Sequence, residues 1–276
     1  MNPQAQASLE KLVFRKTNSH LGRNIAVSPN NSAMKHLAYG RIILNVSTPQ
    51  VAYSNADRET ALVCLSGIAE LKASSENFHL NQYDAIYVPR DTPIELKTNS
   101  RADVAEFSAE VDHRYPVQFV SYQSISKDPS LRFHTGGPGN ARDLNILVGK
   151  NVQAGRLLVG FTFSDPGNWT SWPPHEHAET LEEMYVYFDM PEPAYGIQLV
   201  YNDTQYPEFV TVVRDGDAVL MPGGYHPNVS VPGHRIGFLW AMAAHREVED
   251  RQFGVVNVQP AFQQTVAGSG LEAARK

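Results

Sequence analysis

The apolar residues of this chain come in short runs, almost none with a sustained helical period, and Gly, Pro, Asn and Asp stand between them. Runs at 41–46, 60–65, 68–72, 84–88, 93–96 and 103–109 precede a second series. That series falls at 117–121, 144–148, 156–163, 183–188, 195–200, 209–213, 217–221 and 236–243. Strand-length runs punctuated this way predict an all-β protein built as sandwiches or barrels. Helical periodicity is confined to a segment at 3–12 and the tail at 268–275.

The two series echo each other. Asp84-Ala85-Ile86-Tyr87-Val88-Pro89 is matched by Asp217-Ala218-Val219-Leu220-Met221-Pro222, and each reads as turn, buried strand, turn. Such an echo in a chain of 276 residues predicts a duplicated domain. The first copy is expected within 1–135 and the second within 136–276, joined at Gly136-Gly137-Pro138-Gly139-Asn140. With 19% charged and 42% apolar residues the chain can bury a core. A net charge of -6 argues against a nucleic-acid partner. No apolar stretch is long enough to span a bilayer, and the first twenty residues lack the apolar core of a secretory signal. The single cysteine, Cys64, fits a reducing compartment. A cytoplasmic protein is expected, and its many strand edges suit a homo-oligomer.

Chemistry concentrates in the second half. Trp172-Pro173-Pro174-His175-Glu176-His177 is followed by Glu182-Glu183 and, later, by His226 in Gly223-Gly224-Tyr225-His226-Pro227. On a strand, His175 and His177 leave from one face. In 183–188, Glu183, Tyr185 and Tyr187 share a face, while Met184, Val186 and Phe188 form a core-like one. Glu183 is therefore the expected carboxylate ligand, with Glu182 in reserve. Imidazole with carboxylate suits a divalent ion, zinc first, then manganese or iron. The first half has no His-x-His pair and reads Arg90-Asp91-Thr92-Pro93 where the second has its Gly-rich turn.

These residues resemble the 5-deoxy-glucuronate isomerase family, bicupins of myo-inositol breakdown related to the 5-keto-4-deoxyuronate isomerases. The segments that carry the resemblance are Gly167 to His177, Leu181 to Tyr187 and Asp215 to Pro227, extended by Val231 to His234 and Phe238 to Ala243. The resemblance implies a bicupin of two tandem jelly-roll β-barrels. It implies metal ligands at His175, His177, Glu183 and His226, and isomerisation of an open-chain sugar acid. Glu176 and Ala178 depart from the family's usual lysine and aspartate.

That reaction needs a polarised carbonyl, a base and a hold on the distant carboxylate. Glu182, a metal-bound hydroxide or a relay through Tyr185 could move the proton. Tyr187 is expected to line the cavity. Arg142 is preferred over Lys150, Arg156 and Arg214 for the substrate carboxylate, because it follows the linker. Rival readings are a related uronate isomerase, an iron-dependent cupin oxygenase and a noncatalytic sugar-binding bicupin.

Overall fold

A computed structural model describes residues 12–202 and 209–265. Every apolar run named above overlaps a strand, and the strands among the described residues form five antiparallel sheets. Apart from Leu12, the two helical segments expected at 3–12 and 268–275 lie outside the described residues. Among the described residues no helix is long and apolar enough to cross a membrane.

The two largest sheets follow one plan. The six-stranded sheet runs Gln118–Val120, Ala85–Val88, Arg58–Gly67, Arg101–Glu110, Leu37–Asn45, Gly22–Val27. The seven-stranded sheet runs Val13–Phe14, Ala218–Met221, Leu181–Tyr187, Gly237–Ala244, Leu157–Ser164, Arg142–Val148, Arg132–Thr135. Taken in order, the first six strands of each correspond. The two echoing segments sit second in their sheets, Ala85–Val88 and Ala218–Met221. Each accepts an outer strand from earlier or later in the chain, so Val13–Phe14 from the amino-terminal half completes the carboxy-terminal sheet.

The expected pair of jelly-roll barrels is not formed. Among the described residues no sheet closes on itself: Val13–Phe14 bonds only to Ala218–Met221, and Arg132–Thr135 only to Arg142–Val148. Alternation along a strand fixes which side is buried, not whether the last strand of a sheet meets the first. Separate four-stranded sheets cover the outer faces instead.

Burial follows from this stacking. Tyr39, Val63, Phe107, Val159, Phe161, Met184, Val186 and Leu239 belong to one core shared by the two large sheets. Behind the six-stranded sheet, Ile42, Leu62, Cys64, Leu71, Ile94 and Leu96 fill a second core. Behind the seven-stranded sheet lies a third, containing Tyr185, Tyr187, Phe238, Trp240 and Met242. A strand buried on both faces thus explains why Leu181–Tyr187 alternates between two classes of large residue rather than between apolar and charged.

Two buried carboxylates lock the halves together reciprocally. Glu182 accepts hydrogen bonds from the backbone N–H groups of Lys35, His36 and Leu37 at 2.6, 2.7 and 2.6 Å. Glu59 accepts from those of Gly155, Arg156 and Leu157 at 2.7, 2.7 and 2.8 Å, and from the Tyr87 hydroxyl at 2.7 Å. Each carboxylate is fully buried and grips the entry to a strand of the other half. Removing Glu182 strands one buried and two part-buried N–H donors, and removing Glu59 strands three N–H groups and the Tyr87 hydroxyl. Each loses a hydrogen bond to a charged group, worth about 1.5–3 kcal/mol. Glu182→Ala is accordingly expected to lose at least about 3 kcal/mol of unfolding free energy by urea titration; a loss under about 1 kcal/mol would contradict this role.

Candidate metal centre

The site sits on the outer face of the seven-stranded sheet. The two-residue strand His175–Glu176 pairs with Asn257–Val258, so the carboxy-terminal segment sets the direction of the His-x-His motif. A tight turn follows, in which Thr180 and Leu181 donate to the His177 carbonyl at 3.0 and 2.9 Å. The chain then enters Leu181–Tyr187, carrying Glu183 between Met221 and Met242 of the flanking strands. His226 arrives from a turn that needs Gly224: φ there is +91°, and a Cβ would lie 3.2 Å from the Tyr201 carbonyl oxygen.

His177, Glu183 and His226 converge. Glu183 Oε2 lies 2.9 Å from His177 Nε2 and 3.0 Å from His226 Nε2, and all three side chains are buried. Their potential ligand atoms all fall within 4.8 Å of one another. His175 stands beside this triad, its ring 5.0 Å from that of His226 and 6.4 Å from that of His177.

The tautomers of these rings decide what the cluster can hold. Nδ1 of His175 contacts the Pro173 carbonyl at 2.8 Å, that of His177 the Leu181 carbonyl at 3.2 Å, and that of His226 the Gly224 carbonyl at 2.9 Å. A carbonyl only accepts, so each Nδ1 carries a proton and a neutral ring keeps its lone pair on Nε2; in the metal-free protein His177 Nε2 also donates, to Glu183 at 2.9 Å. Metal-binding histidines are anchored in this way. His226 Nε2 is buried and, despite its nearness to Glu183, has no hydrogen-bond partner among the described residues. Two imidazole nitrogens and a carboxylate oxygen, with one nitrogen unmatched, fit a divalent cation.

Electrostatics agree. Burial opposes the charge on Glu183, but the hydrogen bond from His177 and the positive potential of both neighbouring rings prevail and hold it down to about 2. Burial would lower His177, yet Glu183 raises it above its ordinary value. Burial, reinforced by His226, pushes His175 down to about 3.

A small cleft, partly open to solvent, adjoins the cluster and is lined by His175, His177 and Glu183 at one end. Tyr185 also lines it; the Tyr185 and Ser171 hydroxyls are 2.6 Å apart. Burial and then the charge of Glu183 push the Tyr185 phenol well above its ordinary value, so it stays a donor. Arg142 lines the cleft as well, donating to the carbonyls of Asn140 and Trp172 at 2.8 and 2.9 Å. Burial lowers it to about 10, which leaves it cationic at neutral pH. Apolar walls come from Leu144, Phe238, Trp240 and Met242, and the segment Phe253–Val256 covers one side.

Two expected residues are not brought to the cleft. Glu182 faces the other half, spent on the backbone at 35–37. Tyr187 is buried in hydrogen bonds with Gln198 and Asn228. Arg156 instead donates to the carbonyls of Glu110, Ala244 and His245, and Arg214 lies 5.8 Å over the Tyr195 ring. Ser171 lies within the Gly167 to His177 segment, whose pattern gave it no role, and the covering segment 253–256 carries no sequence signal because it belongs to no periodic run.

The chain matches the KduI/IolB family over residues 12–259 and belongs to it. A relative from Geobacillus kaustophilus strain HTA426, named 5-deoxy-glucuronate isomerase, is 27% identical over 240 residues, 80% of this chain and 84% of its own length. One from Bacillus velezensis with the same name is 29% identical over 238 residues, 79% of this chain and 84% of its own. In fold, an IolB-like protein from Salmonella typhimurium LT2 superposes with a TM-score of 0.81 at 23% identity, covering 92% of this chain and 98% of that one.

Folded His175 resists protonation down to about pH 3, whereas in the unfolded chain it titrates near 6.5. The unfolded state therefore binds the proton first, and stability is lost as pH falls through this interval. Glu183 adds a loss of the same sign below about 4.5. For metal-free protein, the slope of unfolding free energy against pH between 6.5 and 4.5 should be shallower in His175→Ala than in wild type. Equal slopes would refute the assignment.

Proposed function

We propose that this protein is a metal-dependent aldose–ketose isomerase of a sugar acid, converting 5-deoxy-D-glucuronate to 5-dehydro-2-deoxy-D-gluconate. The observation that carries the proposal is the His177–Glu183–His226 cluster at one end of a cleft that also holds the buried cation Arg142. The names of the relatives support the choice of substrate.

His177, Glu183 and His226, joined by His175, would hold the ion, and their nitrogen-rich donor set favours zinc, with manganese or iron as alternatives. When bound, the ion supplies Lewis acidity to a carbonyl and its neighbouring hydroxyl. Arg142 holds the substrate carboxylate through its planar, permanently charged fork. Tyr185, kept protonated, donates to a substrate oxygen and exchanges protons with Ser171. Trp240 and Phe253, stacked with ring centroids 4.9 Å apart, shield the reacting carbons from water. In this reading the half spanning 136–276 carries the chemistry, and 1–135 braces it through the shared core and the two carboxylate locks.

Zinc-loaded protein is expected to convert 5-deoxy-D-glucuronate under anaerobic conditions, followed by NMR. His177→Ala should abolish turnover together with metal binding. Arg142→Gln should raise KM on the order of tenfold or more, the worth of a hydrogen bond to a charged group. Turnover that survives metal removal, or no conversion by the loaded protein, would overturn the proposal.

A further inference from the structure

Behind His226 lies a buried hydrogen-bonded chain that the proposed reaction leaves unused. Gln198 Nε2 donates to the carbonyls of His226 at 2.9 Å, Pro227 at 3.2 Å and Leu199 at 2.8 Å. Three acceptors around one atom fix it as the amide nitrogen, so Gln198 Oε1 must accept. It does so from the Tyr187 hydroxyl at 2.5 Å. With its proton committed there, the Tyr187 oxygen accepts from Asn228 Nδ2 at 3.0 Å, and Asn228 Oδ1 in turn accepts from the Thr170 hydroxyl. Every polar atom is matched in a single direction, and Thr170, Tyr187, Gln198 and Asn228 have no exposed surface.

The placement of this chain gives it a purpose beyond packing. Tyr187 lies four residues beyond Glu183 on the same face of one strand, and Gln198 is in register with Asn228 on the strand that follows His226. The strand that supplies the carboxylate therefore also holds the turn that supplies the imidazole. His226 is pinned twice: its ring through Nδ1 to the Gly224 carbonyl, and its backbone carbonyl through Gln198.

We infer that Gln198, steered by Tyr187 and Asn228, is a positioning residue that sets the metal affinity of the site by fixing where His226 Nε2 stands relative to Glu183. The inference rests on the proposed metal binding and concerns residues that do not touch the cleft. Outer partners of this kind are worth on the order of 10–100-fold in metal affinity.

The test is the dissociation constant for Zn²⁺, measured by competition with a chromophoric chelator, and the visible spectrum of the Co²⁺-substituted protein. Gln198→Leu should weaken zinc binding on the order of 10–100-fold and alter the cobalt bands. Leu62→Ala, in the apolar core of the other half, serves as a control that lowers the melting temperature without moving either readout. Should Gln198→Leu fail to fold, Tyr187→Phe removes the donor to Gln198 with less disruption and should weaken zinc binding on the order of tenfold. A folded variant that binds zinc within about twofold of wild type, with unchanged cobalt bands, would overturn the inference while leaving metal binding intact; each tenfold is 1.4 kcal/mol. Wild-type protein that binds no divalent ion would overturn both.

Discussion

The site depends on a constraint set by backbone, not by side chains: three carbonyls, of Pro173, Leu181 and Gly224, each take the Nδ1 proton of a histidine. With those protons committed, the opposite nitrogens of His177 and His226 face the Glu183 carboxylate at 2.9 and 3.0 Å. A buried lone pair aimed at a buried anion is unfavourable unless a proton or a metal cation lies between them. The two halves of the chain, the reciprocal carboxylate locks and the turn at Gly224 all serve to hold that arrangement against its own electrostatic cost.

The shared strand order of the two large sheets shows what the cost replaces. In the pairing registers, Glu183 opposite Met221 corresponds to Thr60 opposite Val88 in the other half. Leu62 and Cys64 then stand where Tyr185 and Tyr187 stand, and they pack into an apolar core with Ile42, Leu71 and Leu96. One half spends its outer cavity on hydrophobic burial. Its counterpart spends the same space on ionisable groups and leaves a cleft, while the core between the two large sheets stabilises both. In this member of the KduI/IolB family the candidate metal cluster among the described residues thus stands at one of two equivalent positions.

Much of this was legible from residue order. Alternation at 183–188 separated Glu183, Tyr185 and Tyr187 from Met184 and Val186, and the structure puts Tyr185 and Tyr187 in one core and Met184 and Val186 in another. The Asp84 and Asp217 segments marked equivalent strands because an Asp-led turn and a Pro-led exit bound a buried strand in each. Closure of the sheets was not legible, because strand period says nothing about which edges meet. Nor was the fate of Glu182 and Tyr187: parity puts a side chain on a face, but not which distant backbone or amide will claim it. Glu182 found the N–H groups of 35–37, far off in sequence, and Tyr187 found Gln198 on the next strand, in a different sheet.

The most direct test of the central claim is anomalous diffraction from crystals soaked in zinc, recorded on both sides of the metal's absorption edge. The account predicts one peak within about 2.0–2.2 Å of His177 Nε2, His226 Nε2 and a Glu183 oxygen, with His175 turned toward it. A map with no peak at saturating zinc, and the two imidazoles still resting on the carboxylate, would contradict it.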